Sequence, residues 1–309
     1  MAVVAVPILT DDDLALRLGD AIGLAIEAVG DALVARAGGD LDAPPRWMLD
    51  LGAGRLVFTV GAERRRSRAA GFRVYDTFPD RGAQHAQIVA VFDADDGRLR
   101  GLVLGDLLGA IRTAAIDAVA IDVLARPDAA TLGIVGTGLQ AEHHLLAAVA
   151  VRDFRRVVVY SRDPDRRRDF ANRMGAAIGV EVAAADTPEA VAEAADVLVL
   201  ATTSRRPVVD ASAIGPGMHV TTLGPKFVDA HELPIAVGEA ADLVVTDSLP
   251  QVEAYPRLFF LDVPMVELAD IVAGDHPGRA RSEELTLFCS VGLAGTEVVV
   301  ADRLLDAFA

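Results

Sequence analysis

Short apolar runs alternate with helical segments through the middle of this 309-residue chain. Apolar strands separated by helices form βαβ units, whose strands are parallel and whose helices cover the sheet. We therefore predict an α/β fold built on a parallel sheet. Strands are predicted at residues 131–135, 156–160, 180–184, 196–201, 218–223 and 242–246, with helices at 138–150, 164–177 and 187–194.

A glycine-rich turn directly follows the first of these strands. Its residues, Gly136, Thr137, Gly138, Leu139, Gln140 and Ala141, have the pattern G-x-G-x-x-A. The first glycine of this pattern forms the turn, the second lets a pyrophosphate approach the backbone, and the small last residue lets helix and strand pack closely. The N–H groups at the start of the helix also favour an anion. This context predicts a Rossmann-type dinucleotide-binding domain, with Gly136, Thr137, Gly138, Leu139 and Gln140 as cofactor-binding residues.

The end of the second strand bears on which dinucleotide binds. A site that prefers NAD(H) places an acidic residue there to bind the ribose 2′-hydroxyl. Here the strand is followed by Ser161 and Arg162, whose hydroxyl and guanidinium suit a 2′-phosphate. Asp163, before Pro164, is predicted to cap the next helix instead. The sequence therefore favours NADP(H), with NAD(H) as the alternative.

Hydroxyl side chains follow the strand predicted at 196–201. They belong to Thr202, Thr203 and Ser204. Ligands of open parallel sheets bind at the carboxyl ends of the strands, so these residues suit the nicotinamide half of the cofactor. An ordinary polar turn is the alternative.

The residues before position 108 have a different pattern. Thr10 and Asp13 have the spacing of a capping box at the start of a helix predicted over 10–37. Strands are predicted afterwards at 55–60, 70–77, 87–92 and 99–105, with a hairpin turn at 95–97. The helix predicted at 295–308 is expected to return to this region. We therefore divide the chain into an α+β domain of residues 1–113, joined by helix 294–309, and a Rossmann domain of residues 114–293.

Composition excludes several classes of protein. The net charge of −16 argues against nucleic acid or an anionic membrane as the main partner. The single cysteine, Cys289, excludes an internal disulfide and a cysteine-based zinc cluster, and no other metal-ligand spacing is present. No signal peptide or membrane span is recognised. We therefore expect a cytoplasmic protein without a bound metal.

Six segments of the chain resemble the ornithine cyclodeaminase/mu-crystallin family. The matches keep their order from the start of the chain to its end. They are G-A-I-R-T-A-A at 109–115, L-A-R-P at 124–127, L-G-I-V-G-T-G at 132–138, A-T-T-S at 201–204, G-D-H-P-G-R at 274–279 and L-T-L-F-C-S-V-G-L-A at 285–294.

This resemblance implies an architecture and an activity. The family has a Rossmann domain from the middle of the chain, and a second domain that contributes substrate-binding residues and forms a homodimer. Members use a nicotinamide cofactor on the Cα–N bond of amino or imino acids. Some cyclise ornithine to proline, others are amino-acid dehydrogenases or ketimine reductases, and mu-crystallin-like members bind NADPH and reduce cyclic ketimines.

The resemblance also implies the substrate-binding residues. The carboxylate-binding arginine of the R-T-A-A motif corresponds to Arg112, and a second arginine that follows a proline corresponds to Arg46. The family usually has lysine in a G-x-K motif where this chain has Arg73. Arginine binds a carboxylate but does not deprotonate, so Arg73 is not expected to transfer a proton. His85 is expected near the pocket as a candidate proton donor.

A reversed charge distinguishes this chain from the ornithine-cyclising members. Those proteins carry an aspartate in a glycine-rich turn before a Glu-Leu pair. Counting back from Glu232 and Leu233 places Lys226, the only lysine of the chain, at that position. A cation is a poor neighbour for the ammonium of ornithine. Lys226 is instead a candidate proton donor or a ligand for a second carboxylate, with a structural role in the turn as the alternative.

These residues together favour an NADPH-dependent reductase. The predicted substrate is an imino acid (ketimine) or a related C=N compound with a carboxylate, and the candidate catalytic residues are Lys226, Arg73, Arg112 and His85. One alternative is an NAD(P)-dependent amino-acid dehydrogenase or ornithine cyclodeaminase, in which Asp229 supplies the missing carboxylate. A second alternative is an NADPH-loaded binding protein with little turnover.

Overall fold

The computed structural model describes residues 6–78, 87–255 and 257–309. The chain divides into two compact units. The first unit comprises Met1–Ile116 and Gly292–Ala309, and the second unit is Asp117–Val291. Within the described residues, no helix combines the length and the apolar character that a membrane span requires.

The first part of the chain is rich in strands. Its elements are β1 (Ile8–Thr10), α1 (Asp11–Ala15), α2 (Leu18–Ala37), β2 (Leu41–Asp42), β3 (Trp47–Asp50), β4 (Arg55–Glu63), β5 (Ala69–Asp76), β6 (Ile88–Asp93), β7 (Leu99–Leu104) and α3 (Leu107–Leu124).

Helices and parallel strands alternate after α3. The elements are β8 (Thr131–Val135), α4 (Leu139–Val151), β9 (Arg156–Tyr160), α5 (Pro164–Ile178), β10 (Val182–Ala184), α6 (Pro188–Ala194), β11 (Val197–Leu200), a 3₁₀ turn (Ala211–Ala213), β12 (His219–Thr222), β13 (Lys226–Phe227), β14 (Ala230–His231), α7 (Ile235–Ala240), β15 (Leu243–Thr246), α8 (Leu249–Glu253), β16 (Val266–Glu267), α9 (Leu268–Ala273), β17 (Thr286–Cys289) and α10 (Thr296–Phe308).

The sheet of the first unit has one face against helices. Its strand order is β1-β7-β6-β5-β4-β2, and β3 also pairs with β4. Strands β4 to β7 are antiparallel neighbours, and α10 contacts all four of them as well as α2. The final helix therefore belongs to the first unit. Large apolar side chains are exposed on the other face of the sheet, among them Trp47, Val60, Phe72 and Ile88.

The sheet of the second unit is parallel, and both of its faces are buried. Its strand order is β10-β9-β8-β11-β12-β17-β15-β16. Val197 and Val199 of β11 face one apolar cluster, whereas Leu198 and Leu200 face the other. Strands buried on both faces are expected where helices cover both sides of a parallel sheet. The strand order reverses between β8 and β11, which is where ligands of such folds bind.

Most predicted elements are confirmed, and one is wrong in detail. The strands predicted at 131–135 and 156–160 coincide with β8 and β9. Thr10 and Asp13 form the predicted capping box. The helix predicted over 10–37 is interrupted, because α1 ends at Ala15 and Arg17 leaves helical geometry at φ −130° and ψ 33°. The short strands β13 and β14 and the central strand β17 were not predicted.

Candidate functional site

The glycine-rich turn connects β8 to α4 in the second unit. Gly136 has φ 131°, and a Cβ atom there would overlap the carbonyl oxygen of Ala201. Only glycine fits this close approach and this conformation. Gly138 precedes α4 without a side-chain cap, and a Cβ atom on it would meet nothing within 4 Å. The start of α4 therefore offers open space beside a helix N-terminus, which suits a pyrophosphate.

A pocket of about 430 Å³ in the second unit adjoins this turn. Its lining comprises Gly138, Leu139, Gln140, Ala201, Thr202, Thr203, Leu223, Gly224 and Pro225. Five of the predicted cofactor-binding residues lie on this lining, and they come from two separate segments of the sequence, the glycine turn and the loop after β11. Ser204 is not part of the lining, and its hydroxyl donates a hydrogen bond to the carbonyl oxygen of Arg206 at 2.7 Å.

The loop after β9 holds the residues predicted to distinguish the cofactors. Asp163 caps α5 by accepting hydrogen bonds from the backbone N–H groups of Asp165 and Arg166 at 3.0 and 3.2 Å, as predicted. The Ser161 hydroxyl donates to the carbonyl oxygen of Asp163 at 3.1 Å. Arg162 is exposed, and no other residue of the described chain pairs with its guanidinium. Its charge is therefore available to a ligand.

Two buried arginines and one buried carboxylate form a cluster in the first unit. We call Arg73, Arg112 and Glu297 the arginine cluster; their exposed fractions are 7%, 6% and 1%. Arg73 of β5 lies directly opposite Thr59 of β4, so both side chains lie on the sheet face that α10 covers. Glu297, in the first turn of α10, accepts a hydrogen bond from the Thr59 hydroxyl.

The Arg112 guanidinium forms few polar contacts with the described residues. Its Nε atom lies 3.9 Å from Oε2 of Glu297, and no residue in the described part of the chain forms a hydrogen bond with its guanidinium. Buried guanidinium groups are normally hydrogen-bonded, because an unpaired buried polar group is costly. The planar group is therefore placed to bind a ligand with two acceptor oxygens, such as a carboxylate.

Several neutral groups contact Arg73 and Arg46. Nε of Arg73 donates to Oε1 of Gln87 at 2.8 Å, and its guanidinium lies over the Tyr75 ring at 4.3 Å. Arg46 donates to the Tyr75 hydroxyl at 3.4 Å and to the Gly292 carbonyl oxygen at 3.3 Å. A Cβ atom on Gly292 would lie 3.0 Å from Nη2 of Arg46 and 3.3 Å from Nη1 of Arg112, so both guanidinium groups approach this glycine.

The arginine cluster carries one excess positive charge. Burial, together with the neighbouring charge of Arg112, lowers the pKa of Arg73 to about 10, so it remains protonated at neutral pH. Burial alone would raise the pKa of Glu297, but Arg112, Arg73 and the Thr59 hydroxyl bring it below the usual value. Two cations therefore face one anion, and a single carboxylate would neutralise the remainder.

In the structure, Lys226 forms a hydrogen bond within its own turn. Its side chain is buried in β13, and Nζ donates a hydrogen bond to the carbonyl oxygen of Gly224 at 2.8 Å. Asp229, the alternative carboxylate, forms an ion pair with Arg257. His85, the other candidate proton donor, lies outside the described residues. Among the residues that the structure does describe, no group of three His, Cys, Asp or Glu side chains is arranged to hold a metal ion.

Sequence reasoning missed two buried carboxylates. Glu297 stands in a predicted amphipathic helix, next to the apolar run 298–300. Because glutamate is rarely buried without a partner, an acid beside such a run was the available signal. Glu232 served only to align the turn that contains Lys226, yet it is fully buried in the second unit.

Comparison with known proteins gives a consistent result. The sequence model of the ornithine cyclodeaminase/mu-crystallin family matches residues 17–308. A delta(1)-pyrroline-2-carboxylate reductase of Bacillus cereus is 33% identical over 228 residues, which are 71% of this chain and 70% of that protein. An iminosuccinate reductase of Paracoccus denitrificans is 31% identical over 72% of this chain and 70% of its own length.

A solved structure extends the similarity to nearly the whole chain. The delta(1)-pyrroline-2-carboxylate reductase of Thermococcus litoralis, in complex with NADH and L-proline, superposes with a TM-score of 0.84. It is 28% identical, and the match covers 97% of this chain and 96% of that one.

We expect Gly138→Ala to weaken dinucleotide binding without destabilising the protein. The added methyl group meets no protein atom within 4 Å, but it enters the space that a pyrophosphate needs. Calorimetric titration should show a dissociation constant raised about tenfold or more, while the free energy of unfolding changes by less than about 0.5 kcal/mol. Gly30→Ala, on open surface of α2, is the control. Equal affinity of Gly138→Ala and wild type would contradict this site.

Proposed function

Because this chain belongs to the ornithine cyclodeaminase/mu-crystallin family, we propose that it reduces the C=N bond of an imino acid that carries a carboxylate, with NADPH as the preferred cofactor. The similarity to imino acid reductases supports the reaction. The observation that carries the substrate class is the buried Arg112 side chain, whose guanidinium donates no hydrogen bond to the described residues. In this proposal the second unit binds the dinucleotide and the first unit binds the substrate.

The arginines bind and orient the substrate. Arg112 binds the carboxylate through two parallel hydrogen bonds, and Arg73 adds charge from the same cluster. Neutralising the excess positive charge of the arginine cluster favours a substrate with one carboxylate there. A nicotinamide coenzyme held at the glycine turn of the second unit would supply the hydride that the imine carbon accepts. Both guanidinium groups stay protonated, so they hold the substrate in place and withdraw electron density without exchanging a proton.

The proton that the imine nitrogen needs has a candidate source in Lys226. An ammonium group carries acidic protons, and that of Lys226 donates a hydrogen bond to the carbonyl oxygen of Gly224. Two observations speak against ornithine cyclisation. Lys226 occupies the position of the aspartate in the cyclising members, and Asp229 is already paired with Arg257.

Replacing Arg112 should affect the imino acid and spare the coenzyme. Arg112→Lys keeps a positive charge but loses the planar pair of donors. We expect the KM for the imino acid to rise about 10- to 100-fold, since a hydrogen bond to a charged group contributes about 1.5–3 kcal/mol. NADPH oxidation with five- and six-membered cyclic imino acids and iminosuccinate measures this, and the dissociation constant of NADPH should stay constant.

The exposed Arg55→Lys of the same unit is the matched control. A protein that binds NADPH but reduces no member of this substrate panel would refute the proposed reaction. An unchanged KM in Arg112→Lys would refute the proposed role of Arg112.

The preference for NADPH rests on Ser161 and Arg162. The exposed guanidinium of Arg162 suits a 2′-phosphate, and no acidic side chain stands at either position. We expect Arg162→Ala to raise the KM for NADPH about tenfold while changing the KM for NADH by less than about twofold. Arg168→Ala, an exposed arginine paired with Asp165 on α5, controls for surface charge. Equal losses with both coenzymes would contradict the preference.

We also propose a homodimer that forms through the open face of the first sheet. Trp47, Val60, Phe72 and Ile88 are all more than a third exposed on this face. Exposed apolar patches of this kind mark interaction surfaces, and a two-fold axis lets one patch cover its copy. Val60→Glu together with Phe72→Glu should give a monomer in sedimentation equilibrium. Leu258→Glu, an exposed position in the second unit, should leave the wild-type dimer intact. A monomeric wild type would contradict the dimer.

A further inference from the structure

Glu232 is a fully buried carboxylate, and all the hydrogen-bond donors that the described residues supply to it are neutral. It follows β14 in the second unit and has no exposed surface. Oε2 accepts hydrogen bonds from the N–H and the hydroxyl of Thr202 at 2.9 and 2.6 Å. Oε1 accepts from the Thr222 hydroxyl and from the N–H groups of Leu223 and Gly224 at 2.9, 2.9 and 2.6 Å. No basic side chain of the described residues forms an ion pair with it.

The five donors belong to two different loops. Thr202 lies just after β11, whereas Thr222, Leu223 and Gly224 end β12 and continue beyond it. These strands are parallel neighbours, so their loops leave the same edge of the sheet. Each carboxylate oxygen of Glu232 accepts hydrogen bonds from only one of the two loops. The carboxylate therefore joins the two segments where the strand ladder ends, since the last ladder bond here runs from the N–H of Leu223 to the carbonyl oxygen of Leu200 at 3.0 Å.

Both loops form walls of the pocket beside the glycine turn. Thr202 and Thr203 line it from the first loop, and Leu223, Gly224 and Pro225 line it from the second. Glu232 itself is not part of the lining. It lies behind the two walls and fixes the distance between them.

The two loops pack closely against each other and against Glu232. A Cβ atom on Gly224 would overlap both the carbonyl oxygen of Thr202 and the carboxylate of Glu232. The Thr202 hydroxyl, which donates to Glu232, also accepts a hydrogen bond from the N–H of Ser204 at 3.2 Å. Gly224 donates its N–H to Glu232, and its carbonyl oxygen, in the next peptide group, accepts the hydrogen bond of Lys226. One carboxylate therefore orders the turn 202–204 and the glycine that holds Lys226.

We propose that Glu232 is the positioning residue of the dinucleotide pocket: it sets the pocket's width by holding the loops after β11 and β12 in register. The assignment rests on the proposed dinucleotide binding by the second unit, and not on which imino acid is reduced. Loss of this carboxylate lets the two walls separate, which weakens coenzyme binding and displaces the backbone carbonyl that holds Lys226.

The test is Glu232→Gln, which keeps the size of the side chain. The new amide group turns an acceptor into a donor that faces the donors of one loop, so at least two hydrogen bonds are lost. At a temperature where circular dichroism shows a folded variant, we expect the dissociation constant of NADPH to rise about tenfold or more. We expect the KM for the imino acid to change by less than about twofold, because its carboxylate ligands belong to the first unit.

Asp196→Asn provides a matched control at the opposite end of the same strand. Asp196 precedes β11 and accepts hydrogen bonds from the N–H groups of Ala130 and Thr131 at 2.8 and 2.9 Å. Both variants should lower the melting temperature, but only Glu232→Gln should weaken coenzyme binding. Wild-type affinity in a folded, destabilised Glu232→Gln would overturn the assignment, because a purely structural role predicts that result.

Three further outcomes also decide between the proposals. If Glu232→Gln does not fold, Thr222→Val removes one donor to the carboxylate: a two- to fivefold rise in the NADPH dissociation constant supports the proposal, and no rise overturns it. A wild-type protein that binds neither coenzyme also overturns it. A wild type that binds NADPH without reducing any imino acid refutes the proposed reaction alone, since the binding comparison then still decides the role of Glu232.

Discussion

The burial of charge constrains the first unit more than any other interaction. Removing one partner from a buried ion pair leaves an uncompensated charge at a cost of about 3–5 kcal/mol. Glu297 therefore ties the last helix to the sheet, because its compensation comes from Thr59 of β4, Arg73 of β5 and Arg112 of α3. The residues that compensate the charge of Glu297 thus include both arginines that we propose as substrate ligands.

In the second unit, carboxylates bind backbone N–H groups at the ends of strands. Asp196 binds backbone N–H groups at the start of β8, and Glu232 binds hydroxyl and N–H groups where β11 and β12 end. Backbone groups beyond a strand have lost their ladder partners and need replacements. A carboxylate with two oxygens can satisfy several of them at once. A single side chain, that of Glu232, thus holds both loops at the edge of the sheet where the pocket lies.

The sequence predicts those features that have a local signature. The glycine turn, the strands beside it and the capping residues Thr10 and Asp163 all depend on neighbours within a few positions. Strand β17 lacks such a signature, because a four-residue apolar run is too short to identify its partners, although it pairs between β12 and β15. The contact between Thr59 and Glu297 joins residues 238 positions apart, so no pattern of spacing could reveal it.

Arginine in place of lysine at position 73 has a consequence for acid–base behaviour. Its pKa of about 10 and the depressed pKa of Glu297 keep both groups ionised from mildly acidic to mildly alkaline solution. The contribution of these two groups to the electrostatic field is therefore constant over the physiological pH range. Any pH dependence of the reaction then comes from groups outside the arginine cluster: the imine nitrogen, which must be charged to accept a hydride readily, and the group that protonates it.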